Sequence, residues 1–156
     1  LAAQAPEGVV VEEVQIGDLP LYTQDLDSES IPAYERVRAQ LQAADAVLIV
    51  SPEHNRSMPA AVKNLLDIAS RPAGKSLWGG KKTAVITASP GSYGGINSGL
   101  HIRQSLQAMS ADVMIAPEVF LSRAHTALAD GQVSDARTAA FLNKFAAAFY
   151  AWAQAE

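Results

Sequence analysis

The run Ala46-Val47-Leu48-Ile49-Val50, continued by Ser51-Pro52-Glu53-His54-Asn55-Arg56-Ser57-Met58-Pro59, most restricts how this chain can fold. Five consecutive apolar residues rich in β-branching suit a strand buried on both faces, as in a parallel sheet. Pro52 has no N–H to give a ladder, so the strand ends there. Pro59 stands at the opening of the next helix, where a missing N–H costs nothing. Val62, Leu65, Leu66 and Ala69 then recur at helical spacing, which sends Lys63, Asn64 and Asp67 toward solvent. A polar loop thus falls at the carboxyl end of a parallel strand, where open α/β sheets bind ligands.

The same alternation runs along the rest of the chain. Val9 to Ile16 reads as a strand, Gly17-Asp18-Leu19-Pro20-Leu21-Tyr22 as a connector, and Asp25 to Ser30 as an acidic surface loop. From Ile31-Pro32 a helix is predicted to about Ala44, with Tyr34, Val37 and Leu41 on one face. The helix after Pro59 stops before Pro72, and a loop from Gly74 to Gly80 carries Trp78. Lys82 to Ala88 reads as a second buried strand, ending in the glycine-rich turn Ser89-Pro90-Gly91-Ser92-Tyr93-Gly94-Gly95. A helix starting near Asn97, a good N-cap, points Ile102, Leu106 and Met109 inward. Asp112 to Ala116 is a short strand, and Glu118 to Leu121 stays extended after Pro117. Asp130-Gly131 turns the chain into a last helix from about Ser134, with Leu142, Phe145, Phe149 and Trp152 as its buried stripe. Alternating strands and helices give an α/β class: a doubly wound, mostly parallel sheet with helices on both faces.

With 156 residues, the chain is expected to form one domain, 1–156, able to bury a sizeable core. Its net charge of −4 and scattered lysines and arginines argue against a nucleic-acid surface. There is no cysteine, which excludes disulfides, thiolate metal sites and a cysteine nucleophile; redox chemistry would need a bound cofactor. No apolar run approaches the roughly 20 residues of a membrane span, and a cytoplasmic protein is the expectation.

The loops from Pro52 to Ser57 and from Ser89 to Gly95 both leave buried parallel strands, so both fall on one edge of the sheet. Gly91, Gly94 and Gly95 remove side chains and bare backbone amides, while Asn55 and Ser57 add polar side chains. Such an edge suits a planar heterocycle with carbonyl and ring-nitrogen acceptors. The competing reading is that the glycines only turn the chain. No acid, base or nucleophile triad stands out, and no residues sit at metal-ligand spacing. His101 and His125 read as surface or structural.

Ser-Pro-Glu-His-Asn-Arg-Ser-Met-Pro with its Val62-Lys63-Asn64-Leu65-Leu66-Asp67 helix resembles the signature of NADPH-dependent FMN reductases. This flavodoxin-like family includes chromate, quinone and azo-dye reductases. Gly17 to Tyr22, Gly80-Lys81-Lys82, Ser89-x-Gly-x-x-Gly-Gly95, His101-Ile102-Arg103-Gln104 and Pro117-Glu118 extend the likeness over essentially the whole chain. The resemblance implies a noncovalent FMN whose ring lies against Pro52, Glu53, His54, Asn55 and Ser57, with Ser89, Gly91, Tyr93, Gly94 and Gly95 as the other wall. It implies NADPH or NADH as co-substrate, a small-molecule electron acceptor, and a homodimer or homotetramer, with no nucleic acid and no membrane. The flavin carries the reaction and no side chain is required as a catalytic group. Tyr93 either stands over the flavin or substrate or closes a turn. Arg103 touches a dinucleotide phosphate, pairs across a subunit interface with Glu118 as partner, or is a plain surface charge.

Two departures from the family pattern stand out. His54 replaces a common tyrosine. The family's opening strand and its Ser/Arg/Asn phosphate loop at a helix N-terminus have no match here. A fragment lacking about 20 residues, by typical element lengths, is therefore expected, with weak or no FMN binding as it stands. The other functional classes weighed are a flavodoxin-type electron carrier, disfavoured by the modest acidity, and a receiver or assembly module, disfavoured by the lack of clustered carboxylates.

Overall fold

The computed structural model describes residues 1–129 and 132–155. Helix α1 (Pro32–Ala43) leads into strand β1 (Ala46–Pro52), then α2 (Ala60–Ala69), β2 (Lys82–Ala88) and α3 (Ile96–Ala108). Two short strands follow, β3 (Asp112–Val113) and β4 (Val119–Leu121), then one helical turn, α4 (Ala124–Ala127). A small antiparallel pair, β5 (Leu128–Ala129) and β6 (Gln132–Val133), precedes the long α5 (Ala136–Gln154). The Asp130-Gly131 turn lies outside the described residues.

β1 and β2 run parallel over their full lengths, from Ala46 opposite Lys82 to Pro52 opposite Ala88. On the far side of β2, β3 pairs with its start and β4 with its end, both parallel. Helices cover both faces unequally. α1, α2 and α3 share one core around Tyr34, Leu41, Leu66, Ile68, Trp78, Ile102 and Leu106. α5 covers the other together with Leu1, Ala5 and Val9 of the N-terminal segment, setting Leu142, Phe145, Ala146, Phe149 and Tyr150 against Ala84, Ile86 and Val119. Trp152 is half-buried at the edge of that second core. Trp78 is wholly buried although it lies in a loop, because its indole N–H donates to Leu66 O at 3.0 Å. Truncating a buried indole of this kind to alanine costs about 3–5 kcal/mol.

Four local expectations are corrected. Val9 to Ile16 is extended but makes no ladder, and β1 pairs with β2 alone among the described residues. Side chains of α1 hold this segment instead: Arg36 Nη1 donates to Gln15 O at 3.0 Å, and Gln40 donates to Glu12. Val14 and Ile16 rest on the first core and Val9 on the second, whereas Val10 is 90% exposed. The second correction is to the strand from Asp112, which ends at Val113 because Ile115 turns out to solvent and Pro117 brings no N–H. Third, α3 begins at Ile96 with Gly95 as its N-cap, so Asn97 lies inside the first turn.

The fourth concerns Asn64, which is buried. Its Oδ1 accepts from Tyr22 N at 2.8 Å, and its Nδ2 donates to Pro20 O at 2.9 Å. Helical spacing put it beside Lys63 and Asp67, which do face water and pair at 2.6 Å. The Gly17–Tyr22 connector, folded back over α2, is what buries it. Removing a side chain that satisfies buried backbone groups costs about 1–3 kcal/mol. Asn64→Ala is expected to lower the stability measured by urea denaturation by that amount, and Lys63→Ala by less than about 0.5 kcal/mol, the scale of an exposed ion pair.

Candidate functional site

Because β1 and β2 are parallel neighbours and end together at Pro52 and Ala88, their following loops emerge side by side. Three contacts join the first loop to the second loop and to the helix α3 that continues it. Glu53 Oε2 accepts from Asn97 N at 2.9 Å and Ser98 N at 3.3 Å, and Glu53 Oε1 accepts from Asn97 Nδ2 at 3.4 Å. The carboxylate of the first loop thereby caps the helix that follows the second, satisfying open N–H groups and meeting the positive end of the helix dipole. Ser57 Oγ lies 2.9 Å from His101 Nδ1, one turn further along α3. Third, the Arg56 guanidinium sits over the Tyr93 ring, 5.4 Å from its centroid, a contact of about 0.5–1 kcal/mol at an exposed site.

The first loop is a tight hairpin. His54 N donates to Ser57 O and Ser57 N to His54 O, each at 2.9 Å, while Asn55 and Arg56 form its corners with φ of 49° and 66°. Two successive left-handed residues make the primed turn that closes two-residue hairpins. Pro52, His54, Asn55 and Arg56 are exposed, and Glu53 and Ser57 are partly covered. The N–H groups of Asn55, Arg56, Ser92 and Tyr93 donate to no other described residue. They leave four backbone donors without a protein acceptor on the two neighbouring loops.

In the second loop the glycines differ in what they face. A Cβ at Gly94 would lie 2.5 Å from Phe120 C and O, and φ there is +63°. At Gly95 it would lie 3.0 Å from Thr87 Cβ. Both glycines are buried and are required by close approach to protein. Thr87 Oγ1 fixes the turn from below by donating to Gly94 O at 2.8 Å. Gly91 is exposed, and a Cβ there would meet only Ser89 Oγ at 3.8 Å. Tyr93 is 65% exposed beside it, and Ser89 is partly covered. Arg123 N donates to Gly91 O at 2.9 Å and Ala124 N to Ser89 O at 3.0 Å, so the turn after β4 backs the loop.

All ten residues singled out from sequence therefore lie at one end of the sheet. Sequence places Glu53 against the ring through the family resemblance, but gives no sign that its carboxylate caps α3 or that Arg56 and Thr87 contribute. Arg103 and Glu118 lie apart, on a shallow groove with Leu100, Gln104, Gln107, Val113 and Ile115. Arg103 Nη1 donates to Met114 O at 2.7 Å and Nε is 3.7 Å from Glu118 Oε1, so this pair forms within the chain. Burial pulls the Arg103 guanidinium below its ordinary pKa, and Glu118 pulls it back up.

The chain matches the family model described as NADPH-dependent FMN reductase over residues 1–126. It is 41% identical to a quinone reductase of Pseudomonas putida over 97% of its own length and 82% of that protein's. It is 39% identical to a 2-hydroxy-1,4-benzoquinone reductase of a Burkholderia species, over 97% of this chain and 84% of the relative. Among solved structures it resembles FerB, a flavoenzyme NAD(P)H:(acceptor) oxidoreductase of Paracoccus denitrificans. The TM-score is 0.82 and the identity 38%, over 90% of this chain and 78% of FerB.

The Glu53 cap gives a direct test. Glu53→Ala is expected to lower stability by about 1–2 kcal/mol, the range of helix caps aided by the dipole, read as a shift in the urea midpoint. Glu53→Gln, which keeps the acceptor and loses the charge, is expected to recover about half of that loss.

Proposed function

The chain belongs to the NADPH-dependent FMN reductase family and is an oxidoreductase that uses NAD(P)H and FMN; on that premise we propose that the flavin ring rests between the Pro52–Ser57 and Ser89–Gly95 loops and that a quinone is the electron acceptor. Azo compounds, metal oxyanions such as chromate, and free flavin belong to the same range of acceptors. The reading takes the enzyme as a cytoplasmic homodimer or homotetramer. No described helix is long and apolar enough to cross a membrane.

The observation that supports the placement is the set of amide donors without a protein acceptor at Asn55, Arg56, Ser92 and Tyr93. The polar edge of an isoalloxazine carries carbonyl oxygens and ring nitrogens, and donors of that kind satisfy it. The residues present thus fit the ring. Bound FMN supplies two-electron chemistry, by which NAD(P)H, a quinone and one proton become NAD(P)⁺ and a hydroquinone.

The chain's own residues bind and orient. The hairpin locked between His54 and Ser57 holds its amides at fixed positions, so little ordering is lost when a ligand accepts from them. Gly94 and Gly95 let the second loop pack down onto Phe120 and Thr87, which keeps the mouth clear. Gly91 leaves its side toward the mouth bare, and Tyr93 stands at the rim. Glu53 and Ser57 tie both loops to α3, so the two walls hold a common geometry.

Gly91 is the position that tests the placement with least disturbance to the fold, because a Cβ there would meet no protein atom closer than Ser89 Oγ at 3.8 Å. In the full-length protein, FMN titration followed by flavin fluorescence is expected to reach one flavin per chain. Gly91→Leu is expected to weaken that binding at least tenfold, more than about 1.4 kcal/mol, with the melting temperature of the flavin-free protein unchanged. Steady NADPH oxidation with 1,4-benzoquinone is expected of the loaded enzyme. Undiminished FMN affinity in Gly91→Leu would move the ring elsewhere, and reduction of a protein partner alone would make the chain an electron carrier.

A further inference from the structure

The corners of the first hairpin have left-handed backbone angles, and at the second corner, Arg56, φ is 66°. Turns of this kind favour asparagine first and glycine second. Asn55 obeys that preference; Arg56 does not, and it occupies a conformation that costs an L-residue energy with no fold contact in return. Its guanidinium lies over the exposed Tyr93 ring, 5.4 Å from the centroid, and makes no side-chain hydrogen bond among the described residues. Arg36, Lys63, Arg71 and Arg103 each have a carboxylate within 4 Å, whereas Arg56 has none among the described residues. The carboxylate in its own loop, Glu53, is committed to the N-terminus of α3. A cation held over an aromatic ring at the mouth, without a counter-charge, is free for a ligand.

We propose that Arg56 and Tyr93 select planar acceptors that carry a negative charge over neutral quinones of the same size. The chemical class is sulfonated or carboxylated quinones and hydroxyquinones ionised at neutral pH. The inference rests on the placement of flavin and acceptor between the two loops. Tyr93 offers a flat face to a ring, and the guanidinium exchanges its weak ring contact for paired N–H donation to an oxyanion, the geometry in which arginine binds most strongly. The chain as a whole is acidic, with a net charge of −4, so long-range attraction does not favour anions. Any such preference must come from a local charge; of the two arginines beside these loops that have no carboxylate within 4 Å among the described residues, Arg56 and Arg123, Arg56 is the one held over an exposed aromatic ring.

The test uses the FMN-loaded full-length enzyme with NADPH and two probes, 1,4-naphthoquinone and 1,4-naphthoquinone-2-sulfonate. The measured quantity is the ratio of kcat/KM for the sulfonate to that for the neutral quinone, which cancels losses in folding or flavin content. Arg56→Gln is expected to lower this ratio about tenfold, the effect of losing a charge-assisted contact, and Arg56→Lys to restore most of it. Added salt is expected to narrow the wild-type ratio and leave that of Arg56→Gln unmoved. An unchanged ratio in Arg56→Gln, with turnover intact, overturns the selectivity while leaving the placement of the flavin standing. A raised KM for NADPH but not NADH, with the ratio unchanged, also overturns it and gives the arginine to the nucleotide. Failure of the loaded enzyme to turn over either quinone defeats the underlying reading along with this one.

Discussion

The register between β1 and β2 determines what this chain can do. Seven consecutive residue pairs, from Ala46 with Lys82 to Pro52 with Ala88, bring both strands to an end at the same level. In a parallel pair the next segments must leave in the same direction, so the two loops have no choice but to be neighbours. A slip of one residue would turn each strand's side chains to the opposite face. The buried run from Thr83 to Thr87 would then exchange its two cores. The mouth between the loops is as stable as that ladder and the helices packed on it.

Above the ladder, the loops are fixed mainly by their tie to α3. Glu53 reaches across to cap that helix, Ser57 meets His101 one turn on, and Gly99 approaches so closely that a Cβ there would lie 2.7 Å from Phe120 Cε1. Helix, first loop and β4 are thereby held against one another, with the second loop between them. The polar groups at this end fall into two kinds. Glu53, Thr87 and Ser98 have partners in the protein and hold the scaffold. The amides of Asn55, Arg56, Ser92 and Tyr93, and the Arg56 guanidinium, remain for whatever binds.

Much of this arrangement was legible in the sequence because it depends on local signals. Apolar runs that stop at Pro52 and Ser89, helical spacing in Val62–Ala69, and glycines after β2 are read from neighbours along the chain. What escaped depends on contacts between distant segments. Asn64 looked exposed by periodicity, yet the connector more than 40 residues earlier folds over it. Asn97 looked like a cap, yet a carboxylate 44 residues away does the capping, and the helix starts at Ile96 with Gly95 as its N-cap. Val9 to Ile16 had the composition of a strand, but composition does not supply a hydrogen-bonding neighbour. Of the glycines, sequence marked all three alike. Only the packing of Phe120 and Thr87 divides two that shape the loop from one that opens onto the mouth.

The division between scaffold and free groups also bears on how such a site could change its preferences. Substituting Glu53, Gly94 or Gly95 alters the positions of both walls, because each is held by atoms on another element. Asn55, Arg56, Gly91 and Tyr93 have side chains, or in glycine's case a bare Cα, with few protein contacts. Exchange there changes the chemistry of the mouth at small cost to the fold. The one constraint on Arg56 is its left-handed backbone, which asparagine or glycine would satisfy better. What arginine adds at that corner over either residue is a positive charge, in a chain whose overall charge has the opposite sign.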